Sequence, residues 1–247
     1  MKKGGIQIYG IHPVASMLEQ YPHIVESMYV SDTRRDAKVD SLISFAKSHR
    51  IAVVAVSRKD LDTATNDSNH QGVVIFIKSF PYQELDTVLE KVKEKNALFV
   101  LLDEITDPHN VGAIIRSAVG FGADAILLPK HRQAGITGIV AKSSAGTIAM
   151  IPIIEIGNVQ ATLKKLQKNG FWSVALSAEG QPLTGFTFDR SFVFIVGSEG
   201  EGVGAKIKEH SDFVVSIPMK EGVESLNASV AAGVVIYEWN RQNLSGK

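Results

Sequence analysis

Apolar residues follow two different rhythms along this chain. Before residue 79 they come in short groups separated by polar turns, and beyond Ala97 they gather into nearly continuous runs. Val39, Leu42, Ile43 and Ala46 fall at helical intervals and predict a helix over Val39–Ser48. Pro13–Glu19 suits a short helix with proline in its first turn. Ser27–Val30, Ile51–Val56 and Val73–Ile77 predict strands, the last two from their β-branched residues. These elements make a small α/β unit. Its polar loop ATNDSNHQG carries His70, Gln71 and Gly72.

The second rhythm predicts strands at Ala97–Leu102, Ala125–Leu128, Ile151–Ile154, Phe171–Leu176 and Phe192–Val196. Helical patterns lie between and after them, at Val111–Phe121, Val159–Gln167 and Leu226–Trp239. Strands that lack polar alternation are buried on both faces, so the expected fold is α/β, a parallel sheet covered by helices on each side. Ligands of such sheets gather beyond the strand carboxyl ends, which points to the loops after Leu102, Val196 and Ile217. Ser79–Asp86 holds a proline and little periodicity, and the helical run Thr87–Lys95 follows it. The expected boundaries are therefore 1–78 for the small domain, 79–96 for a linker with its leading helix, and 97–247 for the larger domain.

Composition narrows the chemistry. The chain has 247 residues and no cysteine, which excludes disulfides, thiolate metal sites and cysteine nucleophiles. The histidines lack metal-ligand spacing, so no metal is expected. No run approaches the roughly 18–20 apolar residues of a membrane helix, and MKKGGIQIYG lacks a signal-peptide core, so a cytoplasmic location is expected. Lys+Arg and Asp+Glu are equal at 26 each, so any nucleic acid must be held by a local basic surface.

Three loops carry the candidate chemistry. In the first, Asp107-Pro108 makes a turn, Asn110 is placed to cap a helix, and Arg116 lies one and a half turns further on. An arginine on the ligand side of the sheet suits a phosphate or carboxylate, although a solvated helix residue is the alternative. The second loop places Gly197, Gly200, Gly202 and Gly204 around Glu199 and Glu201. It is neither a phosphate loop nor a dinucleotide fingerprint, and its acids would repel a triphosphate. In the third, Ser225 is a natural cap for the last helix and Asn227 falls in its first turn. Ile217-Pro218-Met219 could present backbone groups to an adenine-like ring. Lys130-His131-Arg132 is a small basic cluster directly after a strand, an ordinary solvated surface or a phosphate contact.

Taken in order, DPHNVGAIIRSAVGFGADAILLP, FIVGSEGEGVG and IPMKEGVESLNASVAAGVVIYEW resemble the motifs of the SpoU branch of the SPOUT RNA methyltransferases. YGIHPV and NHQGVV resemble the L30e-like substrate-binding domain that precedes that catalytic domain. The resemblance covers nearly the whole chain. It implies S-adenosylmethionine as methyl donor, the 2′-hydroxyl of a guanosine in 23S rRNA as acceptor, a C-terminal trefoil knot and a homodimer. Gly197, Gly200, Gly202, Ile217, Met219 and Leu226 would hold the cofactor, with the glycines leaving it room. Asn110, Arg116, Glu199, Ser225 and Asn227 would serve catalysis, while His70, Gln71, Lys130, His131, Arg132 and Lys142 would meet RNA. A guanidinium, with a pKa above about 12, is a poor base, so Arg116 is expected to hold phosphate and steady the developing alkoxide. One departure is visible: Thr147 and Ala149 stand where relatives commonly carry a different pattern with an acidic residue. The alternatives are a tRNA ribose methyltransferase and a non-catalytic RNA-binding protein of ribosome assembly.

Overall fold

A computed structural model describes residues 5–34, 36–198 and 200–243. The chain divides into two compact units, one of Met1–Pro81 with Ile136–Met150, the other of Tyr82–Gly135 with Ile151–Lys247.

The first unit runs β1 (Ile6–Tyr9), α1 (Ile11–Gln20), β2 (Val25–Ser31), α2 (Ala37–Ser48), β3 (Ala52–Val56), α3 (Arg58–Ala64) and β4 (Val73–Ile77). Its sheet has the order β1-β4-β2-β3, with β4 antiparallel to both β1 and β2 and with β2 parallel to β3. Fully buried β4 is the centre, as its unbroken VVIFI run requires. Helix α3 carries no helical stripe, since only Leu61 is buried. It forms because Ser57 and Asp60 make a reciprocal capping box. This local signal places a helix inside the stretch expected to be a connection.

The second unit contains α4 (Leu85–Val92), β5 (Leu98–Leu102), α5 (Pro108–Gly120) and β6 (Ala125–Pro129). The chain then contributes α6 (Gly138–Ser143) to the first unit and returns as β7 (Ile153–Ile156), α7 (Val159–Lys168), β8 (Trp172–Pro182) and β9 (Phe192–Val196). Helix α8 (Ala205–Glu209), β10 (Phe213–Ser216) and α9 (Ala228–Asn243) complete it. Strand β7 starts two residues later than its apolar run suggested. Pro152 has no N–H for the ladder, though its carbonyl accepts from Ile126.

The six strands follow the order β10-β8-β9-β5-β6-β7, and every adjacent pair is parallel. Alternate residues of β5 and β9 serve opposite faces. Phe99, Leu101, Val193 and Ile195 pack with Leu89 of α4 and with Leu163 and Leu166 of α7. On the other face, Phe192 and Phe194 meet Phe188 edge to face. The backbone N–H of Phe188 donates to Gln242 of α9 at 2.8 Å. Helices α5 and α9 pack against each other, and Gly233 lets Ser117 Oγ come to 3.5 Å from its would-be Cβ position. This arrangement puts all the strand carboxyl ends, and their loops, on one edge.

Candidate active site

A cavity of about 290 Å³ opens beyond the carboxyl ends of β8, β9 and β10. Leu176, Val196, Val203 and Val215 give it apolar walls. One wall arises from an irregularity between β8 and β10. The register jumps from Ala175 opposite Val214 to Gln181 opposite Val215, and the segment set out of the ladder includes the lining residues Leu176, Ser177 and Ala178. Gly180 permits the crossing, because a Cβ there would lie 2.5 Å from the Val215 carbonyl carbon.

The glycine loop folds back on itself through a bridge between Ser198 and Gly202, whose N–H donates to the Ser198 carbonyl at 3.0 Å. A Cβ on Gly197 would stand 2.0 Å from the Gly202 carbonyl carbon, so this glycine is required by the loop's own closure. Gly202 has φ +67, a left-handed conformation that suits glycine. Gly200 faces open space. Gly197, Gly200, Gly202, Ile217, Met219 and Leu226 all line the one cavity, as does Ser225. Glu199 lies outside the described residues.

Both expected helix caps are displaced. Asp107, not Asn110, caps α5, accepting from the His109 N–H at 2.9 Å ahead of Pro108. Asn227, not Ser225, closes the start of α9: its Oδ1 accepts from the Ser229 and Val230 N–H groups and the Ser229 hydroxyl. Its amide meanwhile donates to Asn110 Oδ1 at 3.0 Å. Ser225 is exposed at the cavity mouth, and Asn110, in the first turn of α5, is half-buried. In each case the residue immediately before the helix does the capping, three positions from the expected one at α5, where Asp107 has extended backbone, and two at α9.

A second tie joins the first two loops. Asp103, directly after β5, is buried and accepts from the Gly204 N–H at 3.0 Å. Burial pushes its carboxyl above the ordinary value; the Gly204 N–H opposes the shift and nearby Glu104 adds to it. Arg116 belongs to neither tie. It is exposed, lines no part of this cavity, and lies roughly a third of a turn around α5 from Asn110.

The residues expected to meet RNA separate into two groups. His70 is buried, with Nε2 2.9 Å from Asp62 Oδ1 and Nδ1 accepting from the Gly72 N–H at 3.0 Å. This pattern assigns the proton to Nε2 and leaves neither ring nitrogen for a base. Gln71 is equally committed: its side-chain oxygen accepts from the Ile11 N–H and from Lys142 Nζ, and its carbonyl accepts from Arg34. Partial burial pulls the Lys142 ammonium below the ordinary lysine value. His70 and Gln71 also line a cavity of about 620 Å³ with Arg34, Arg58 and Asp62, so their internal partners fix them at its edge. Lys130, His131 and Arg132 remain exposed in the loop after β6. Gln133 ties that loop to the one after β5, its Oε1 accepting from the Ile105 N–H at 2.8 Å. Arg132 pairs with Glu104 at 3.2 Å while its side chain stays 81% exposed.

Sequence reading missed Asp103, the Leu176–Ala178 wall, and Lys208 and Glu224 of the cavity lining. The signal for Asp103 was an acid directly following a fully apolar strand. No pattern marks Lys208. Among the described residues no cluster of His or acidic side chains could hold a metal, and no helix is long and apolar enough to cross a membrane.

These features define an α/β enzyme with a small-ligand cavity at the carboxyl edge of a parallel sheet, together with a small mixed-sheet unit. The model of the SpoU rRNA methylase family matches residues 97–237, and that for RNA 2′-O ribose methyltransferase substrate binding matches residues 7–83. The 23S rRNA (guanosine-2′-O-)-methyltransferase RlmB of Coxiella burnetii is 37% identical over 238 residues, which are 95% of either chain. YacO of Bacillus subtilis, a putative TrmH family tRNA/rRNA methyltransferase, is 37% identical over 87% of both chains. The SpoU methyltransferase AviRb of Streptomyces viridochromogenes, solved with AdoMet, superposes with a TM-score of 0.84 at 25% identity, covering 99% of this chain and 92% of its own. The chain belongs to the SpoU rRNA methylase family.

Proposed function

We propose that this protein transfers the methyl group of S-adenosylmethionine to the ribose 2′-hydroxyl of a guanosine in 23S rRNA. The observation that carries this reading is the single cavity in which the glycine loop, the third loop and the displaced segment of β8 meet. Its size is near the lower end for small-ligand sites. Its apolar walls suit an adenine ring, and Glu201 and Glu224 at its border suit the cationic sulfonium and ammonium of the donor and oppose a polyphosphate. The relatives' names and their coverage of nearly the whole chain support the rRNA guanosine over tRNA.

When bound, S-adenosylmethionine supplies a methyl group already activated by its sulfonium. The chain must then align the ribose and manage one hydroxyl proton. Asn227, flanked by the lining residues Leu226 and Ala228, is locked to Asn110 and so keeps the first loop in register with the cavity. Ser225 at the mouth offers a hydroxyl to the acceptor. Arg116 holds RNA phosphate and stabilises the alkoxide as it forms, and Glu199 orients Arg116 or the nucleotide. Lys130, His131 and Arg132 give the neutral chain a local basic surface on the same sheet edge.

The active protein is a homodimer. Val230, Val234 and Tyr237 form an exposed apolar stripe on α9, the helix that packs against α5, and α5 carries the exposed Arg116. A second copy seated there would cover the stripe and bring Arg116 into an active site. The close crossing of Gly180 and Val215 supports a trefoil knot that threads the third loop beneath the second. The first unit selects the RNA, and the protein works in the cytoplasm. Mapping ribose methylation across 23S rRNA from cells lacking the gene tests the assignment. Loss at a single guanosine, restored by the intact gene, is expected; an unchanged map would overturn it.

A further inference from the structure

The charge pattern of the cavity holds more than the reading above uses. Among the described residues that line it, Lys208 is the one cation, set against the carboxylates of Glu201 and Glu224. Its backbone N–H donates to the Gly204 carbonyl at 3.0 Å, which fastens α8 to the end of the glycine loop. Its Nζ lies 3.2 Å from Glu179 Oε2, and Glu179 is 83% exposed. So exposed an ion pair contributes little, and its carboxylate is readily exchanged for another.

We propose that Lys208 recognises the α-carboxylate of the methyl donor, releasing Glu179 to solvent as the ligand enters. The inference rests on the reading of this cavity as the S-adenosylmethionine site. That ligand carries a sulfonium, an ammonium and a carboxylate. Two glutamates at the border favour the first two groups and repel the third, so a cation is needed for the intact amino-acid tail to be preferred. Lys208 thereby discriminates the full donor from adenine thioethers that lack the tail.

The test is calorimetric titration of the full chain with S-adenosylmethionine, S-adenosylhomocysteine and 5′-methylthioadenosine, which keeps the adenosine and sulfur but has no amino-acid tail. Lys208→Ala should weaken the first two roughly 10- to 100-fold and leave 5′-methylthioadenosine unchanged. Lys208→Arg should restore most of the loss. Equal weakening of all three ligands, or of none, overturns the role of Lys208 while leaving the cavity assignment standing. Failure of the unaltered protein to bind any of the three overturns the cavity assignment, and this inference with it.

Discussion

The cavity of the second unit and the loop before β4 in the first unit are both rich in polar residues and glycine, and they use them in opposite ways. Around His70 and Gln71 both ring nitrogens, the side-chain oxygen and the main-chain carbonyl have internal partners: Asp62, Gly72, Ile11, Lys142 and Arg34. In the glycine loop the ties run to the backbone, through the Gly197–Gly202 contact, the Ser198 bridge and the Gly204 N–H held by Asp103. Gly200 faces open space, and Ser225 and Lys208 border the cavity, Lys208 paired with exposed Glu179. The first region ties its polar side chains to internal partners even where they border a cavity, and the second leaves the side chains at its rim to a ligand.

The sharpest way to break this contrast is at Gly197. Alanine there would force a Cβ to within 2.0 Å of the Gly202 backbone, which cannot yield as a flexible side chain would. We expect S-adenosylmethionine affinity to fall at least about 100-fold by calorimetry, more than a one-atom change in an open loop could cause. Unaltered affinity would mean that the loop closes in another way.

Arg116→Ala should lower methyl transfer by roughly 100- to 1,000-fold, the scale seen when one charge-stabilising group is removed. Because Arg116 lines no part of the cavity, the cofactor dissociation constant should stay within about twofold. A matching loss of cofactor binding would contradict the separation of the two regions.

Next in size is a paired experiment on the RNA candidates. His70→Ala should cost roughly 1–3 kcal/mol of stability in denaturant unfolding, since it leaves the buried Gly72 N–H unsatisfied. Arg132→Ala should leave stability within about 0.5 kcal/mol while weakening RNA binding and flattening its salt dependence by roughly one charge. The reverse pattern would return His70 to the RNA surface.

The smallest effect is expected at Asp103. Its folded-state pKa is raised, so its contribution to stability is complete below the ordinary carboxylate value and is lost as pH rises through the raised one. Asp103→Asn keeps an oxygen for the Gly204 N–H and removes the ionisation. Its stability relative to the unaltered protein should therefore improve as pH climbs from about 4 towards neutrality. A variant that weakens across that range would show that the charged carboxylate itself holds the loop.

Much of the fold could be read from apolar periodicity. VVIFI, LFVLL and FVFIV became central or fully buried strands, because such runs have no other stable home in a chain of this composition. What periodicity could not reach were elements made by local hydrogen bonding. Helix α3 depends on Ser57 and Asp60, and α6 on Thr137, each with too few turns to show a stripe. The three loops were legible as places, since parallel strands direct their carboxyl ends to one edge. Their internal division was not. Nothing in DPHNVGAIIR says that Asp107 takes the cap and frees Asn110 for Asn227, a partner 117 positions away. Nor does the β8 pattern announce the jump that turns Leu176–Ala178 into a wall, because it follows from a chain crossing at Gly180 and Val215.

The most direct test of the whole account is transfer of isotopically labelled methyl from S-adenosylmethionine to undermethylated 23S rRNA by the purified protein, followed by digestion of the RNA to nucleosides. The account predicts label in 2′-O-methylguanosine alone, at a level that Arg116→Ala lowers roughly 100- to 1,000-fold. Label on a base, on another ribose, or undiminished in the Arg116→Ala protein would contradict it.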